Sequence, residues 1–193
     1  MRLHSITLLT FALITLLYRG DAAPSVHTEI VLNTVQRAKT RPLDAKGKKA
    51  VVFLFVAHDC PVSNGYAPEV NRIIKEYSPK KINFYLVYTE SDLKTAVAQK
   101  HLKDFSYTCP ALMDPKHKLV KFVGATVTPE AAVVAPEGKL LYRGRIDDLY
   151  VDFGKRRYEV QTHDLRNALD AVLSGKPIAN RTTKAVGCFI TKS

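Results

Sequence analysis

The stretch Ala50-Val-Val-Phe-Leu-Phe-Val-Ala57, broken by His58-Asp59-Cys60-Pro61, decides how this chain reads. An unbroken run of β-branched and aromatic residues fits a central strand buried on both faces. A helix is expected immediately after it, because Val70, Ile73, Ile74 and Tyr77 keep the i, i+3, i+4, i+7 spacing. Ser78-Pro79 ends that helix. Cys60 therefore sits where a buried strand hands over to a helix. Unpaired N–H groups and partial positive charge at a helix start favour a thiolate over a thiol. Pro61 and the small Ser63 suit a first turn. His58 is placed to add positive charge or move protons, and Asp59 opposes it. The competing reading is an inert Cys packed under the sheet, but His58-Asp59 and Pro61-Val-Ser-Asn64 are too polar for a deep core.

Working outward, Ile82 to Tyr88 reads as a second strand, parallel to the first because a helix joins them. Thr89-Glu-Ser-Asp92 has the form of a capping box opening a helix through about Lys100. Ala111 to Asp114 reads as a short strand and Pro115 to Phe122 as a helix. Ala131 to Ala135 and Leu140 to Arg143 pair as a hairpin across Pro136-Glu-Gly-Lys139. Asp147 to Gln161 is polar. Thr162 caps a last helix facing inward through Leu165, Ala168, Leu169 and Val172. The tail from Ile178 reads as irregular. Near the start, Ile30, Val31, Val35 and Ala38 suggest a short helix within Pro24 to Lys39, followed by a polar connector to Lys49. His101, His117 and His163 read as surface, and Asp147-Asp148 with Arg143 and Arg145 as a solvated, paired edge.

At the N-terminus, Arg2, the apolar run Ile6 to Tyr18, and the small residues around Ala22-Ala23 match a secretory signal peptide. The run is shorter than the roughly 20 residues a membrane span needs. No Cys follows it, so no lipid anchor is expected. The expected organisation is a signal peptide over 1–23, an N-terminal helix and connector over 24–49, a single domain over 50–177 and a tail over 178–193. That places the protein outside the cytoplasm, periplasmic or extracellular. The 193 residues carry 29 Lys and Arg against 18 Asp and Glu, a net charge of +11. These cations are scattered and no aromatic RNA-binding motif accompanies them, so a solvated surface is expected rather than a nucleic-acid partner. No motif requires an organic cofactor or a resident metal.

Cys60, Cys109 and Cys188 are the only cysteines. In an oxidising compartment an odd count leaves one thiol over after any internal bridge. The strand, the Cys-Pro at the helix start and Thr128-Pro129 before the hairpin resemble the thioredoxin-like superfamily. Asp59-Cys-Pro-Val-Ser-Asn64, Ala67-Pro-Glu69, Thr128-Pro-Glu130, Tyr142-Arg-Gly-Arg-Ile-Asp-Asp148 and Ala185-Val-Gly-Cys188 resemble bacterial exported redoxin-domain proteins, relatives of the alkyl hydroperoxide reductase and thiol-specific antioxidant group. The resemblance implies an α/β fold with a central mixed sheet flanked by helices, plus a C-terminal extension. It also implies a cis Thr128-Pro129 beside Cys60, and Cys188 as the second thiol. Two departures matter. Ser63 stands where a dithiol thioredoxin has its second Cys. Ala57 and Phe53 stand where peroxiredoxins have Thr and Pro.

Three functions compete. The first is thiol–disulfide exchange by Cys60, resolved by Cys188 or, failing that, Cys109, acting on a protein disulfide or small oxidant with an electron donor to be identified. The second is peroxide reduction through a sulfenate on Cys60. The third is copper binding or assembly with His58, Cys60 and Cys188 as soft ligands.

Overall fold

The computed structural model describes residues 29–191; the expected signal peptide lies outside them. Strand β3 (Ala50–Val56) is the centre of the molecule, and every residue in it is buried. Its side chains alternate between two cores. Val52, Leu54 and Val56 face one core, shared with α1 (Pro61–Tyr77), α2 (Thr95–Asp104) and α4 (Asp164–Leu173). Val51, Phe53 and Phe55 face the other, shared with α3 (Lys118–Val123). Helices on both faces explain why the strand reads as continuously apolar instead of alternating.

β3 pairs in parallel with β4 (Ile82–Tyr88), and β4 in parallel with β5 (Ala111–Met113). On its other side β3 pairs antiparallel with β7 (Glu130–Val134), which forms a hairpin with β8 (Leu140–Gly144). The full sheet runs β2-β1-β5-β4-β3-β7-β8, with β1 (Leu32–Thr34) and β2 (Lys39–Thr40) at one edge. A two-residue strand β6 (Val127–Thr128) precedes β7, and β9 (Tyr150–Asp152) pairs with β10 (Lys155–Arg156). The expected mixed sheet flanked by helices is present.

Four local expectations are corrected. Among the described residues, the predicted N-terminal helix is the β1–β2 hairpin, with β1 added antiparallel to β5. Leu32 enters one core and Val35 the other, so these apolar residues serve opposite faces of a sheet rather than one face of a helix. Helix α2 begins at Thr95, after the supposed capping box; Glu90 is held instead by the backbone N–H and Nδ1 of His58, each 2.9 Å from Oε1. The tail is not irregular throughout, because Cys188–Phe189 form β11 against β6. His101 and His117 are buried, not on the surface. The Nε2 of His117 bonds the Thr89 carbonyl at 2.8 Å.

Asp147 and Asp148 are buried rather than solvated and do not pair with Arg143 and Arg145, which bind Glu130 and Asp164 instead, while Asp148 pairs with Arg157. Asp147 accepts from Tyr66 Oη at 2.7 Å and from the Leu149 N–H at 2.9 Å. Asp148 accepts from the N–H groups of Gln161 and Thr162 at 2.8 and 3.0 Å, so it organises the loop that leads into α4.

Because Leu54 is fully enclosed between β4, β7 and the helical face, Leu54→Ala should leave a cavity the sheet cannot close. Urea unfolding should register a loss of about 2 to 5 kcal/mol.

Candidate functional site

Cys60 is the residue just before α1, with extended backbone (φ −79°, ψ 114°), and Pro61 opens the helix. Pro suits this position because its missing N–H is one the first turn would leave unpaired anyway. The Cys60 N–H reaches back to the Ala57 carbonyl at 3.3 Å, closing a tight turn off β3. Ser63, which replaces a second local thiol, accepts the Ala57 N–H on its hydroxyl at 3.5 Å. Its role in the structure is to hold the end of β3 against the helix start.

The Thr128–Pro129 peptide is cis, as expected, and the Cys60 S–H donates to the Thr128 carbonyl at 3.1 Å. Thr128 also receives the tail: in the β6–β11 ladder Cys188 stands opposite Thr128 and Phe189 opposite Val127. The Ile190 N–H extends the ladder to the Thr126 carbonyl at 3.0 Å. Gly187 permits this approach, since a Cβ there would lie 2.0 Å from the Thr128 carbonyl oxygen. Upstream, the Thr183 hydroxyl bonds Tyr142 Oη at 2.7 Å and accepts the Arg145 N–H at 3.1 Å. The tail is therefore fastened at both ends of the segment that carries Cys188 past Cys60. Ile190 packs on a core, while Phe189, expected to help bury the tail, is 84% exposed.

All three thiols are free, and Cys60 and Cys188 lie near enough for each to shift the other's titration. Burial pushes the Cys60 thiol up, but the Cys188 thiol and the N–H groups of Ser63, Cys188 and Val62 outweigh it, so Cys60 titrates below the ordinary thiol value. Cys188 is pushed up by burial, by its contact with Cys60 and by the charge of Asp59. Of the two, Cys60 is the one that ionises more readily. Cys109 stands apart; burial raises its thiol to about 12, as suits a packed residue.

The His58 ring bonds Glu90 Oε1 at 2.9 Å and approaches Asp59 at 3.9 Å. The His58 carbonyl is held in a chain that sequence reasoning missed. Asn64 Nδ2 donates to the His58 carbonyl at 3.1 Å, and Asn64 Oδ1 lies 2.8 Å from His101 Nε2. His101 Nε2 must then donate, leaving Nδ1 to accept from Tyr88 Oη at 2.7 Å. The loop that delivers Cys60 is braced by the core through this chain.

Glu130 and Arg143 brace the other side. Buried Glu130 accepts the Thr126 N–H at 2.7 Å, and its second oxygen lies 3.4 Å from Arg143 Nε. Arg143 Nη1 donates to the Gly124 carbonyl at 2.5 Å. Together they set the loop that carries β6. Metal-ligand geometry points elsewhere: among the described residues, the clusters with ligand atoms within 4.8 Å of one another are His58–Asp59–Glu90 and Glu69–Asp147–His163. The trio His58, Cys60 and Cys188 is not one of them.

The redoxin family model matches residues 19–150, more than half of the chain. No curated protein matches it. A hypothetical protein from Sinorhizobium meliloti shares 24% identity at a TM-score of 0.74, over 85% of this chain and 91% of that one. An uncharacterized conserved protein from Geobacillus kaustophilus shares 25% at 0.73, over 85% and 88%. The exposed lipoprotein thioredoxin Etrx1 of Streptococcus pneumoniae shares 27% at 0.51, over 59% and 86%. Other solved neighbours, under 25% identical, are named as disulfide or thiol–disulfide oxidoreductases or as a putative thiol:disulfide interchange protein, and that likeness is one of fold. The fold is thioredoxin-like. Among the described residues no helix is long and apolar enough to cross a membrane.

Two measurements test this geometry. Thiolate absorbance near 240 nm should titrate below 9.0 for Cys60 and shift upward in Cys188→Ser, which removes the strongest group favouring the thiolate. Stability should also respond to His101, whose value burial, together with the charge of His58, lowers from 6.5. The unfolded chain then binds the extra proton, so stability falls as pH drops through about 6.5. His101→Phe should flatten that part of the pH–stability curve.

Proposed function

This chain belongs to the redoxin family, and we propose that it is an exported thiol–disulfide oxidoreductase with Cys60 as nucleophile and Cys188 as resolving thiol. The observation that carries the reading is that Thr128 accepts the Cys60 S–H and stands opposite Cys188 in the β6–β11 ladder, so both cysteines meet at one short strand, with the thiolate favoured at Cys60. The thiol–disulfide oxidoreductase neighbours support a redox function in general terms. The apolar N-terminal stretch, and the description of Etrx1 as an exposed lipoprotein, support the export component.

The exchange balances without a cofactor. The Cys60 thiolate attacks one sulfur of a substrate disulfide, forming the Cys60–substrate bond and expelling the other substrate sulfur as a thiolate. That thiolate takes the proton that Cys188 gives up. The Cys188 thiolate attacks the Cys60 sulfur, forming the Cys60–Cys188 bond and releasing the second substrate sulfur. The protein ends oxidised by two electrons and the substrate reduced by two. The tail has to lift for the first step, because Cys60 is 1% exposed beneath it. Its return delivers Cys188 for the second. Pro61, Ser63, Thr128 and Pro129 support this centre by shaping the ground on which both sulfurs meet.

Cys60→Ser should abolish disulfide reductase activity, a drop of at least about a hundredfold, measured on a fluorogenic disulfide peptide. Cys109→Ser should keep most of it. Cys188→Ser should accumulate a Cys60–substrate adduct in mass spectra of alkylated protein. Undiminished turnover in Cys60→Ser would mean that another residue is the nucleophile.

A further inference from the structure

We propose that the oxidised protein is re-reduced by attack on Cys188, with Cys60 as the leaving sulfur. This rests on the Cys60–Cys188 pairing proposed above and adds which of the two sulfurs an electron donor reaches.

Access separates the two. Cys60 is 1% exposed and enclosed by β3, the start of α1, the Thr128 carbonyl and the tail. In the dithiol the tail is held by hydrogen bonds and apolar packing, with no covalent tie to Cys60, and can lift. Once the Cys60–Cys188 bond forms, the tail is tied covalently over Cys60, and a donor meets the tail first. Cys188 is only half-buried and lies on the outer, two-residue strand β11. It also lines a cavity of about 680 Å³ between the tail and the β9–β10 hairpin. Val127, Phe153, Val186 and Phe189 form apolar parts of that cavity and Arg143 a charged one, while Cys60 does not line it. A donor's thiol has somewhere to sit beside Cys188 and nowhere beside Cys60.

Chemistry favours the same direction. Thiol–disulfide exchange is faster when the departing sulfur is the more stable thiolate. Cys60 has the N–H groups of Val62 and Ser63 to receive its negative charge. Attack on Cys188 therefore expels the sulfur that the helix start stabilises. Attack on Cys60 would expel Cys188, which burial and Asp59 disfavour as a thiolate.

The step balances. A donor thiolate attacks the Cys188 sulfur; the donor–Cys188 bond forms, the Cys60–Cys188 bond breaks and Cys60 leaves as a thiolate. A second donor thiolate then attacks the donor sulfur of the mixed disulfide and expels Cys188, which takes a proton. The donor, a small thiol or a dithiol protein, is oxidised by two electrons and the pair is reduced by two. Substrate and donor thus reach opposite sulfurs, the first with the tail lifted and the second with it bound.

The test uses the full mature chain, oxidised and freed of oxidant, with glutathione as the probe. Reduction is quenched in acid over a series of times with excess alkylating agent, and the cysteines are mapped by mass spectrometry. The expected early species carries glutathione on Cys188 and the alkyl group on Cys60, with Cys188 favoured at least tenfold. Glutathione on Cys60, an even split, or reduction that passes through no Cys188 adduct would each overturn the proposal. Failure of the oxidised chain to contain a Cys60–Cys188 bond is a different result: it would overturn the pairing itself.

Discussion

Everything at the candidate site depends on the backbone of Thr128. Its carbonyl accepts the Cys60 S–H, and the same residue stands opposite Cys188 in the β6–β11 ladder. One short strand thus receives the strand-to-helix turn that carries Cys60 and the C-terminal tail that carries Cys188. A two-residue ladder is weak alone, since isolated strand pairs are marginal in water. Here it is fixed from both sides. Glu130 and Arg143 hold the loop that leads into β6, and the Thr183 hydroxyl anchors the tail on β8.

The electrostatics follow from that placement. A buried thiol is ordinarily harder to ionise. Cys60 departs from this because the helix start and Cys188 supply donors that outweigh burial, while Cys188 and Cys109 behave as buried thiols do. The asymmetry between Cys60 and Cys188 is thus made by position, as the two are chemically identical residues. His58, despite standing two residues away, is drawn off by Glu90.

Support for the site reaches into both cores. The Tyr88–His101–Asn64 chain links β4 and α2 to the carbonyl just ahead of Cys60. A neutral, oriented histidine inside the protein acts there as a strut. The His101 ring was read from sequence as a surface group because α2 is mostly polar, and only Ala98 and His101 of that helix are buried.

The sequence alone determined the centre of the sheet and the placement of Cys60. Seven buried residues in a row and a 3.6-residue apolar period are local signals, and the two-sided burial of β3 and the inward face of α1 enforce them. The Thr128-Pro129 contact with Cys60 was legible through resemblance, which also drew attention to Cys188, the residue that stands opposite Thr128. Tertiary structure alone decided the rest. The β1–β2 hairpin forms because β5 offers an edge to pair with, which no local period records. Phe189 stays exposed because β11 is two residues long and turns alternate side chains outward. The Cys60 and Cys188 thiols differ because their shifts arise from N–H groups, sulfurs and charges brought together from positions more than a hundred residues apart, and chain order carries no measure of that distance.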